Sequence, residues 1–495
     1  MSESEKKGPE LFFGLIGAIG TELEVVAKTL EDSLKKVGYK SKKIVLSDLI
    51  KTKVLHDEEP YKNQYERIKT LQDAGDQFRE KIGDGGAIAS LAIGNIRKLR
   101  EEKTGDANKR SPNVAYILKS LKHKEETQKL RKIYGKNFWV VSAYTPENLR
   151  IAQLNSRIKS DLDGGEQHKS QQYTAELIDR DMYKLGTKFG QDVRGTFPEG
   201  DVFFDVSESS FKLDVDRFIE LIFNNTFKTP TIEEYGMFHA YASAFRSSSL
   251  SRQVGASIIS KNGDIICTGT NEVPKFGGGH YVEGDKNDKR EFQIGEDSNH
   301  VKRNEMLRDV FDRIKKEKWF KDDIMLKNPS ELVDLALDSD NLKEINFLNV
   351  TEFGREVHAE MSALMDASRK TVSVKEGKLF CTTFPCHVCA KHIIAAGIED
   401  VVYISPYSKS LAKDLFKDSI SVDEDPFEDS VQFKPFVGIA PKRYMDLFEM
   451  TARKDKKTGK KIDWDSSKAL PRYEESKPYP DDEAKELTDL ANKQE

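Results

Sequence analysis

The chain has 495 residues, of which 79 are Lys or Arg and 84 are Asp or Glu, giving a net charge of −5. One hydrophobic core seldom organises so many residues, so the length predicts two domains. Because basic and acidic residues are mixed, the composition indicates no overall field that would favour nucleic acid or an anionic membrane. No apolar run approaches the roughly 20 residues of a membrane helix, and no signal-peptide pattern is visible, so a cytoplasmic protein without membrane contact is expected.

An α/β domain is predicted over residues 11–228, after a polar leader over residues 1–10. The apolar run 11–16 enters Gly17-Ala18-Ile19-Gly20-Thr21-Glu22, a pattern typical of a strand, a glycine-rich turn and a helix. Residues 65–103 are predicted to be helical, and 137–144 have the composition of a buried parallel strand. This alternation of helices and strands favours a parallel sheet.

A second domain is predicted over residues 229–450. Its expected elements are a helix over 235–246, a hairpin of strands 254–260 and 265–270, a strand over 378–384, a helix over 386–396 and a strand over 401–405. This order predicts a mixed sheet covered by helices. The charged stretch 273–345 is predicted to be an insertion that covers a site, and residues 451–495 a charged, mobile tail.

The most specific feature is His358-Ala359-Glu360 followed by Pro385-Cys386-His387-Val388-Cys389. It matches the H-x-E and P-C-x-x-C signature of zinc deaminases. His358, Cys386 and Cys389 provide three ligands, which leaves the fourth tetrahedral position of a catalytic zinc ion open for water. The two cysteines fall in the first turn of one helix, so their sulfurs face the same way and the helix N-terminus favours their thiolates.

Glu360 is predicted to carry the protons. Zinc lowers the pKa of its bound water, which attacks C4 of a pyrimidine, while Glu360 takes a proton, delivers it to ring N3 and later protonates the departing ammonia. The alternative is a closed, structural site with a fourth protein ligand, for which the candidates are Cys267, Cys381 and His280. The order and spacing of the two motifs favour the open site, and both of these cysteines are expected to be small core residues in strands.

The second half of the chain resembles the deoxycytidylate deaminases. The similar runs are Ser251 to Ala256, Gly269 to Pro274 and Phe384 to Ile398. The resemblance implies that Asn271 hydrogen-bonds the sugar hydroxyl and that Arg252 meets the phosphate, while Val254 and the backbone of Ala359 line the base pocket. The alternatives are a turn residue for Asn271 and a solvated surface charge for Arg252.

The whole chain looks most like the bacterial two-domain antiviral cytidine deaminases. Further similar runs occur at 120–135, 190–197, 277–281 and 436–444, so the likeness extends over roughly residues 11–450. It implies a nucleotide-kinase-like P-loop domain followed by a zinc-dependent three-layer α/β/α deaminase domain. It also implies conversion of dCTP or dCMP to the uracil nucleotide and ammonia, depletion of these nucleotides during phage infection, a homo-oligomer, and an inhibitory regulator such as a small RNA.

The loop after the first strand is the candidate phosphate site of the first domain. Gly14, Gly17, Gly20 and Thr21 are the candidate residues, because backbone amides and a helix dipole can bind phosphate there. The usual Gly-Lys-Ser/Thr ending is replaced by Gly20-Thr21-Glu22, so the P-loop lysine is missing. Nucleotide sensing or scaffolding is therefore favoured over phosphoryl transfer, with a purely structural turn as the alternative.

The roles of four charged residues in a family-like segment stay open, and surface ion pairs are the alternative for each: Asp179, Arg180, Asp181 and Arg194.

Two other functions compete with nucleotide deamination. One is a deaminase that acts on cytosine or adenine in a polynucleotide, against which the balanced charge and the lack of a basic, aromatic-rich stretch count. The other is a regulatory protein that holds nucleotide or RNA in its first domain and carries only a structural zinc site.

Overall fold

A computed structural model describes residues 7–56, 61–182, 189–339, 350, 352–407, 409–422, 427, 429–449, 451–473 and 478–494. The chain divides into two compact units. The first unit combines the chain up to Glu234 with the segment from Phe436 onward, and the second unit runs from Tyr235 to Pro435.

Twelve strands and nineteen α-helices are numbered here in chain order within the described residues. The strands are β1 (Leu11–Gly17), β2 (Lys40–Val45), β3 (Val114–Lys119), β4 (Phe138–Tyr144), β5 (Val202–Asp205), β6 (Gly255–Ile259), β7 (Ile265–Thr270), β8 (Lys378–Thr383), β9 (Asp400–Ser405), β10 (Ile420–Val422), β11 (Val431–Pro435) and β12 (Gly438–Ile439). The helices are α1 (Leu23–Lys36), α2 (Leu46–Leu49), α3 (Gln64–Ile82), α4 (Ala87–Thr104), α5 (Lys124–Tyr134), α6 (Glu147–Asp161), α7 (Ser170–Met182), α8 (Val193–Thr196), α9 (Phe211–Ile222), α10 (Ile232–Ala244), α11 (Glu291–Ile294), α12 (Ser298–Lys316), α13 (Asp322–Met325), α14 (Pro329–Asp338), α15 (Ala359–Arg369), α16 (His387–Ala395), α17 (Ala412–Leu415), α18 (Tyr444–Phe448) and α19 (Tyr479–Gln494).

The first unit is built on a six-stranded sheet with the order β12-β5-β4-β1-β3-β2. Its strands are parallel except β12, which pairs antiparallel with β5. Side chains of β1 alternate between two apolar cores. Phe13 faces the core that contains α1 and α9, and Phe12 faces the core that contains α3, α4 and α5. Helices therefore cover both faces of the sheet, as the continuous apolar runs of its strands predict.

The second unit carries a mixed sheet with the order β10-β11-β9-β8-β6-β7. β6 pairs antiparallel with β7 and β8, and the remaining pairs are parallel. Leu379 of β8 faces the core beneath α15 and α16, whereas Phe380 faces Gly236 of α10 on the opposite side. The α/β class predicted from the sequence is confirmed, and the expected hairpin turns at Gly263, whose φ is +88°.

The structure corrects the expectation that residues 1–10 and 451–495 are merely a leader and a mobile tail. Arg100 of α4 lies fully buried between Glu10 and Glu483, with N–O distances of 2.9 and 2.7 Å. The hydroxyl of Tyr479 donates to Glu10 at 2.6 Å. Because buried charges must be paired, this cluster fixes both ends of the described chain in the first unit.

The domain boundary expected at residue 450 also shifts. The segment from Phe436 belongs to the first unit, where β12 extends the sheet and Arg443 pairs with buried Asp201 at 3.1 Å. The charged composition of this segment gave no sign that its residues complete a core, because the partners of its charges are far away in the sequence.

The insertion predicted over 273–345 is largely helical in its described part, up to residue 339. Leu307 of α12 and Val333 of α14 form a small core of their own. Asn299 donates to the backbone oxygen of Val350 at 2.9 Å. Residues 340–349 lie outside the described residues. Among the helices that are described, none has the length and apolar character of a membrane span.

Candidate active site

Three metal-donor atoms meet where two helices of the second unit begin. The Nδ1 atom of His358 lies 3.3 Å from Sγ of Cys386 and 3.4 Å from Sγ of Cys389. All three donor atoms lie within 4.8 Å of one another. In a tetrahedral zinc site with usual bond lengths, a nitrogen and a sulfur ligand are about 3.6 Å apart. The donor set therefore fits zinc both in its chemistry and in its spacing.

Helix ends place these donors. His358 is the N-cap of α15, Cys386 is the N-cap of α16, and Cys389 is in the first turn of α16. Gly269 of β7 allows close packing of α15, since a Cβ at this position would collide with the backbone of Ala359. The two helix N-termini thus converge and favour the thiolate forms of the cysteines.

The hypothesis of a closed site requires a fourth protein ligand. In the described part of the chain, His358, Cys386 and Cys389 form the only cluster of at least three potential metal ligands. Cys267 and Cys381 lie buried in β7 and β8, as expected of core residues. His280 lies 2.8 Å from Arg246. Three protein ligands leave one tetrahedral position free.

Ionisable groups at the site depart from their ordinary pKa values. The hydrogen bond from Cys389 and the contact with His358 lower the pKa of the Cys386 thiol to about 4. Burial raises the pKa of the Glu360 carboxyl, which is only 4% exposed. Cys386 is thereby prepared to bind a metal as thiolate, and Glu360 is a buried carboxyl group that can hold a proton.

A cleft of about 150 Å³ opens beside the donors. The sequence-predicted residues that line it are Arg252, Val254, Asn271, His358, Ala359, Glu360 and Cys386. Cys389 is fully buried behind them. None of the described residues in the insertion lines this cleft, so a covering role for that part is not seen.

Asn271 links the strands around the cleft. Its Oδ1 accepts the backbone N–H of Val254 at 2.7 Å, and its Nδ2 donates to the backbone oxygen of Arg252 at 2.9 Å. Both groups of the amide are thus engaged in holding the entry to β6. Arg252 is exposed, with its guanidinium 5.1 Å from the ring centre of Tyr407.

Sequence reasoning missed several lining residues, namely Ser251, Glu356, Thr383, Phe384 and Tyr407. Glu356 is the most notable. Burial raises the pKa of its carboxyl to about 7, and Asn271 Nδ2 lies 3.3 Å from Glu356 Oε2. Val357 forms an antiparallel β-bridge with Glu272, so the backbone around Val357 is extended and the side chains of alternate residues point the same way. That alternation is the signal that could have placed Glu356 beside His358.

Of the four candidate phosphate-binding residues, two lie in β1 and two in the loop that follows it. Gly14 lies inside β1, within the strand-like run 11–16, where a Cβ would collide with the side chains of Leu121 and Phe138. Gly17 ends β1, and Gly20 has a φ of +91°. Thr21 is buried, and its backbone N–H donates to Ala18.

Residues 230–405 match the family model of the cytidine and deoxycytidylate deaminase zinc-binding region. The matched stretch contains all three donors and Glu360. This part of the chain is similar to the zinc-binding region of these deaminases. The zinc cofactor predicted from the sequence agrees with this match and with the donor cluster.

Curated relatives match shorter stretches. The chain is 32% identical over 79 residues to ComE operon protein 2 of Bacillus subtilis, covering 16% of this chain and 42% of that protein. It is 38% identical over 55 residues to the deoxycytidylate deaminases of Enterobacteria phage T4 and Homo sapiens, covering 11% of this chain and 28% and 30% of those proteins. The chain therefore spans less than half the length of each of these relatives.

Solved structures similar to the chain include the dCMP deaminase of cyanophage S-TIM5. Its apo form is 18% identical with a TM-score of 0.23, covering 42% of this chain and 99% of that one. The same enzyme in complex with dCMP and dUMP is 20% identical with a TM-score of 0.24, covering 42% and 98%.

Proposed function

We propose that this protein hydrolyses the 4-amino group of a deoxycytidine nucleotide, dCMP or dCTP, to give the uracil nucleotide and ammonia. The observation that carries the proposal is the position of buried Glu360 in the cleft beside His358 and Cys386. A non-ligand carboxyl group next to three metal donors is the arrangement that a hydrolytic zinc deaminase needs.

The chemistry divides between the cofactor and the chain. When bound by His358, Cys386 and Cys389, zinc supplies an activated water as the nucleophile. Glu360 takes a proton from this water and delivers it to ring N3 as the oxygen attacks C4. Glu360 then takes a second proton from the hydroxyl now on C4 and passes it to the amino group, the bond from C4 to the amino nitrogen breaks, and ammonia leaves with a C4 carbonyl in its place. The raised pKa of Glu360 suits a group that must hold a proton between these steps.

Substrate recognition follows from the size and chemistry of the cleft. A cavity of about 150 Å³ is smaller than a site for a whole drug-sized ligand, so the base enters and the sugar phosphate stays at the mouth. Arg252, exposed beside Tyr407, is the cation for the phosphate. Asn271, whose Nδ2 lies 3.3 Å from Glu356 Oε2 in the cleft lining, is the residue for the sugar hydroxyl by the resemblance of the sequence.

The wider role is proposed from the resemblance of the sequence. It is a cytoplasmic enzyme that assembles as a homo-oligomer and depletes deoxycytidine nucleotides during phage infection. Its first unit is the nucleotide-kinase-like P-loop domain, and a regulator such as a small RNA holds it inactive. The strand order with β1 between β3 and β4, and helices on both sheet faces, supports a nucleotide-binding α/β domain.

The decisive experiment measures ammonia and uracil products from dCMP, dCTP, CTP, cytidine and single-stranded DNA. Glu360→Gln is compared with wild type at equal zinc content, with exposed Glu376→Gln as the matched control. We expect turnover of a deoxycytidine nucleotide that falls about 10²- to 10⁴-fold in Glu360→Gln and is unchanged in the control.

Other outcomes identify the competing functions. Turnover of DNA alone would indicate a polynucleotide deaminase. Zinc binding without turnover of any substrate would favour a regulatory protein with a structural zinc site. Full activity of zinc-loaded Glu360→Gln would contradict the mechanism.

A further inference from the structure

Two segments of the second unit supply much of the lining of its cleft. One is the loop of residues 247–254, called here the Arg252 loop, which contributes Ser251, Arg252 and Val254. The other is the stretch 356–360, which carries one metal donor and the buried acid. The Arg252 loop is largely exposed and has no helix or strand, so only specific contacts can hold it in place.

Glu272 contacts both segments at once. Its backbone N–H donates to the backbone oxygen of Val357 at 3.3 Å, and the N–H of Val357 donates back at 3.0 Å. Its side chain reaches the start of the Arg252 loop, where Oε2 accepts the backbone N–H of Ser248 at 2.8 Å and the Ser248 hydroxyl at 2.6 Å. Oε1 accepts the N–H of Val273 at 2.8 Å. One residue therefore joins the two segments.

The carboxylate of Glu272 is buried behind the cleft. The residue is 1% exposed and lies outside the cleft lining. Burying a carboxylate is costly unless hydrogen bonds compensate it, and three donors do so here. An apolar side chain would fill such a space without burying a charge, so packing alone does not account for a glutamate. Its directional bonds to the Arg252 loop do.

The preceding residue holds the other end of the same loop. Asn271 accepts the N–H of Val254 at 2.7 Å and donates to the backbone oxygen of Arg252 at 2.9 Å. Because side chains alternate along extended chain, Asn271 faces the cleft while Glu272 faces away from it. Two consecutive residues thus fix the beginning and the end of the Arg252 loop.

We propose that Glu272 is a positioning residue for the phosphate end of the substrate, an inference that rests on the proposed deamination of a deoxycytidine nucleotide. Glu272 holds the Arg252 loop to the segment that leads to His358, so the guanidinium of Arg252 keeps a set distance from the metal donors. That distance has to match the one between the phosphate and C4 of the base. Without this contact the loop must be ordered whenever a nucleotide binds, which weakens binding and leaves the chemistry unchanged.

The first test is the effect of Ser248→Ala on steady-state deamination by the zinc-loaded full chain. This variant removes the hydroxyl donor to Glu272 and keeps the backbone bond. We expect KM for the better nucleotide substrate, dCMP or dCTP, to rise about tenfold, with kcat within about twofold of wild type and equal zinc content. Ser260→Ala is the matched control, because this half-buried serine also bonds a backbone N–H, that of Asp264, and lies in the turn after β6.

Two variants of the carboxylate itself extend this test. Glu272→Ala removes all three bonds and should raise KM by about 30- to 100-fold. Glu272→Gln keeps an oxygen acceptor for Ser248, so its KM should lie between those of wild type and Glu272→Ala. A KM in Glu272→Gln as high as in Glu272→Ala would contradict a role for the bond to Ser248.

A double-mutant cycle separates positioning from a purely structural role. If Glu272 acts through Arg252, Ser248→Ala should change KM by less than about twofold in an Arg252→Ala background. It should also change KM for deoxycytidine, which has no phosphate, by less than about twofold. Additive effects of the two substitutions, an equal rise of KM for nucleoside and nucleotide, or loss of zinc would overturn the proposal and assign Glu272 to the stability of the fold.

Binding measured without turnover distinguishes this proposal from the deamination on which it rests. Titration calorimetry gives Kd of dCMP and dCTP for zinc-loaded Glu360→Gln with and without Ser248→Ala, and we expect about a tenfold difference. Turnover by wild type together with equal Kd values would overturn the role of Glu272 alone. No turnover by wild type together with the tenfold difference would contradict deamination and support that role. If neither nucleotide binds to Glu360→Gln, both proposals fall.

Discussion

The clefts of the two units differ in how their charges are compensated. The larger cleft, about 670 Å³ in the first unit, is lined by cations that are mostly paired with carboxylates of the same chain, as Lys122 is with Asp181. The smaller, about 150 Å³ in the second unit, is lined by two of the three metal donors, by half-buried Glu356 and by buried Glu360, and the pKa values of both carboxyls are raised. Both clefts lie in α/β units with helices on both sheet faces.

The carboxyl groups of the smaller cleft have raised pKa values, whereas many charges of the larger cleft are paired. A carboxyl group that is buried without a cation is expensive to ionise, and groups perturbed in this way are typical of functional sites. In the first unit, pairing stabilises the charged forms of both partners, and each partner lowers the reactivity of the other.

The largest effect is expected at the metal donors. Cys386→Ala removes one of three protein ligands, so zinc content should fall toward zero and deamination should drop by more than the roughly 10–100-fold that loss of an outer contact to a metal costs. Metal analysis and an ammonia assay measure both. Cys381→Ala, in the adjoining strand but outside the donor cluster, should keep its zinc. Equal zinc loss in both variants would contradict the assigned donor set.

The next effect concerns the buried cluster of the first unit. Arg100→Met leaves Glu10 and Glu483 buried without their cation, so the free energy of unfolding should fall by about 3–5 kcal/mol. Urea unfolding followed by the fluorescence of buried Trp139 measures this. Exposed Lys98→Met should change stability by less than about 0.5 kcal/mol. A small effect of Arg100→Met would mean that the C-terminal segment adds little to this unit.

The third effect depends on pH. Burial by itself would raise the pKa of the Asp201 carboxyl, but Arg443, Lys442 and Arg131 together hold it below its ordinary value of 3.8. A lowered pKa in the folded state means that Asp201 contributes stability above its unfolded pKa, and that this contribution is lost as the pH falls through the folded pKa.

Asp201→Asn should therefore reduce stability at pH 7 and flatten the decline below about pH 3.8, the ordinary pKa of this group. Melting temperatures between pH 2 and 7, a range chosen to span the carboxyl pKa values, measure this slope. Exposed Asp463→Asn is the control. Parallel curves for wild type and Asp201→Asn would show that this carboxylate carries no pH-dependent stability.

The smallest effect is expected at the mouth of the smaller cleft. Arg252→Ala should raise KM for the nucleotide roughly tenfold, about 1.4 kcal/mol, because an exposed cation contributes only modestly. The value of kcat and the KM for the unphosphorylated nucleoside should stay unchanged. Arg355→Ala, exposed and outside the lining, is the matched control. A fall in kcat instead would assign Arg252 to the chemistry and not to phosphate binding.

The sequence alone predicted the metal donors of the second unit, which the structure brings together. The short spacing of the motifs largely determines the geometry of these donors. His358, Cys386 and Cys389 come together once the N-termini of α15 and α16 lie side by side. Local periodicity likewise predicted the hairpin of β6 and β7 and the buried β1 and β4, because such runs and turns depend on neighbouring residues.

Tertiary structure decided what depends on partners distant in the sequence. It placed Glu356 in the smaller cleft, Asp181 against the loop after β1, and Glu483 beside Arg100. The charged composition of residues 451–495 predicted a mobile tail, because a charged side chain is expected to lie in water unless a partner for it is known. Only the folded chain shows that partner. Local patterns therefore fixed the donors and strands, while pairing across some 380 residues, as between Glu483 and Arg100, determined which charges are buried.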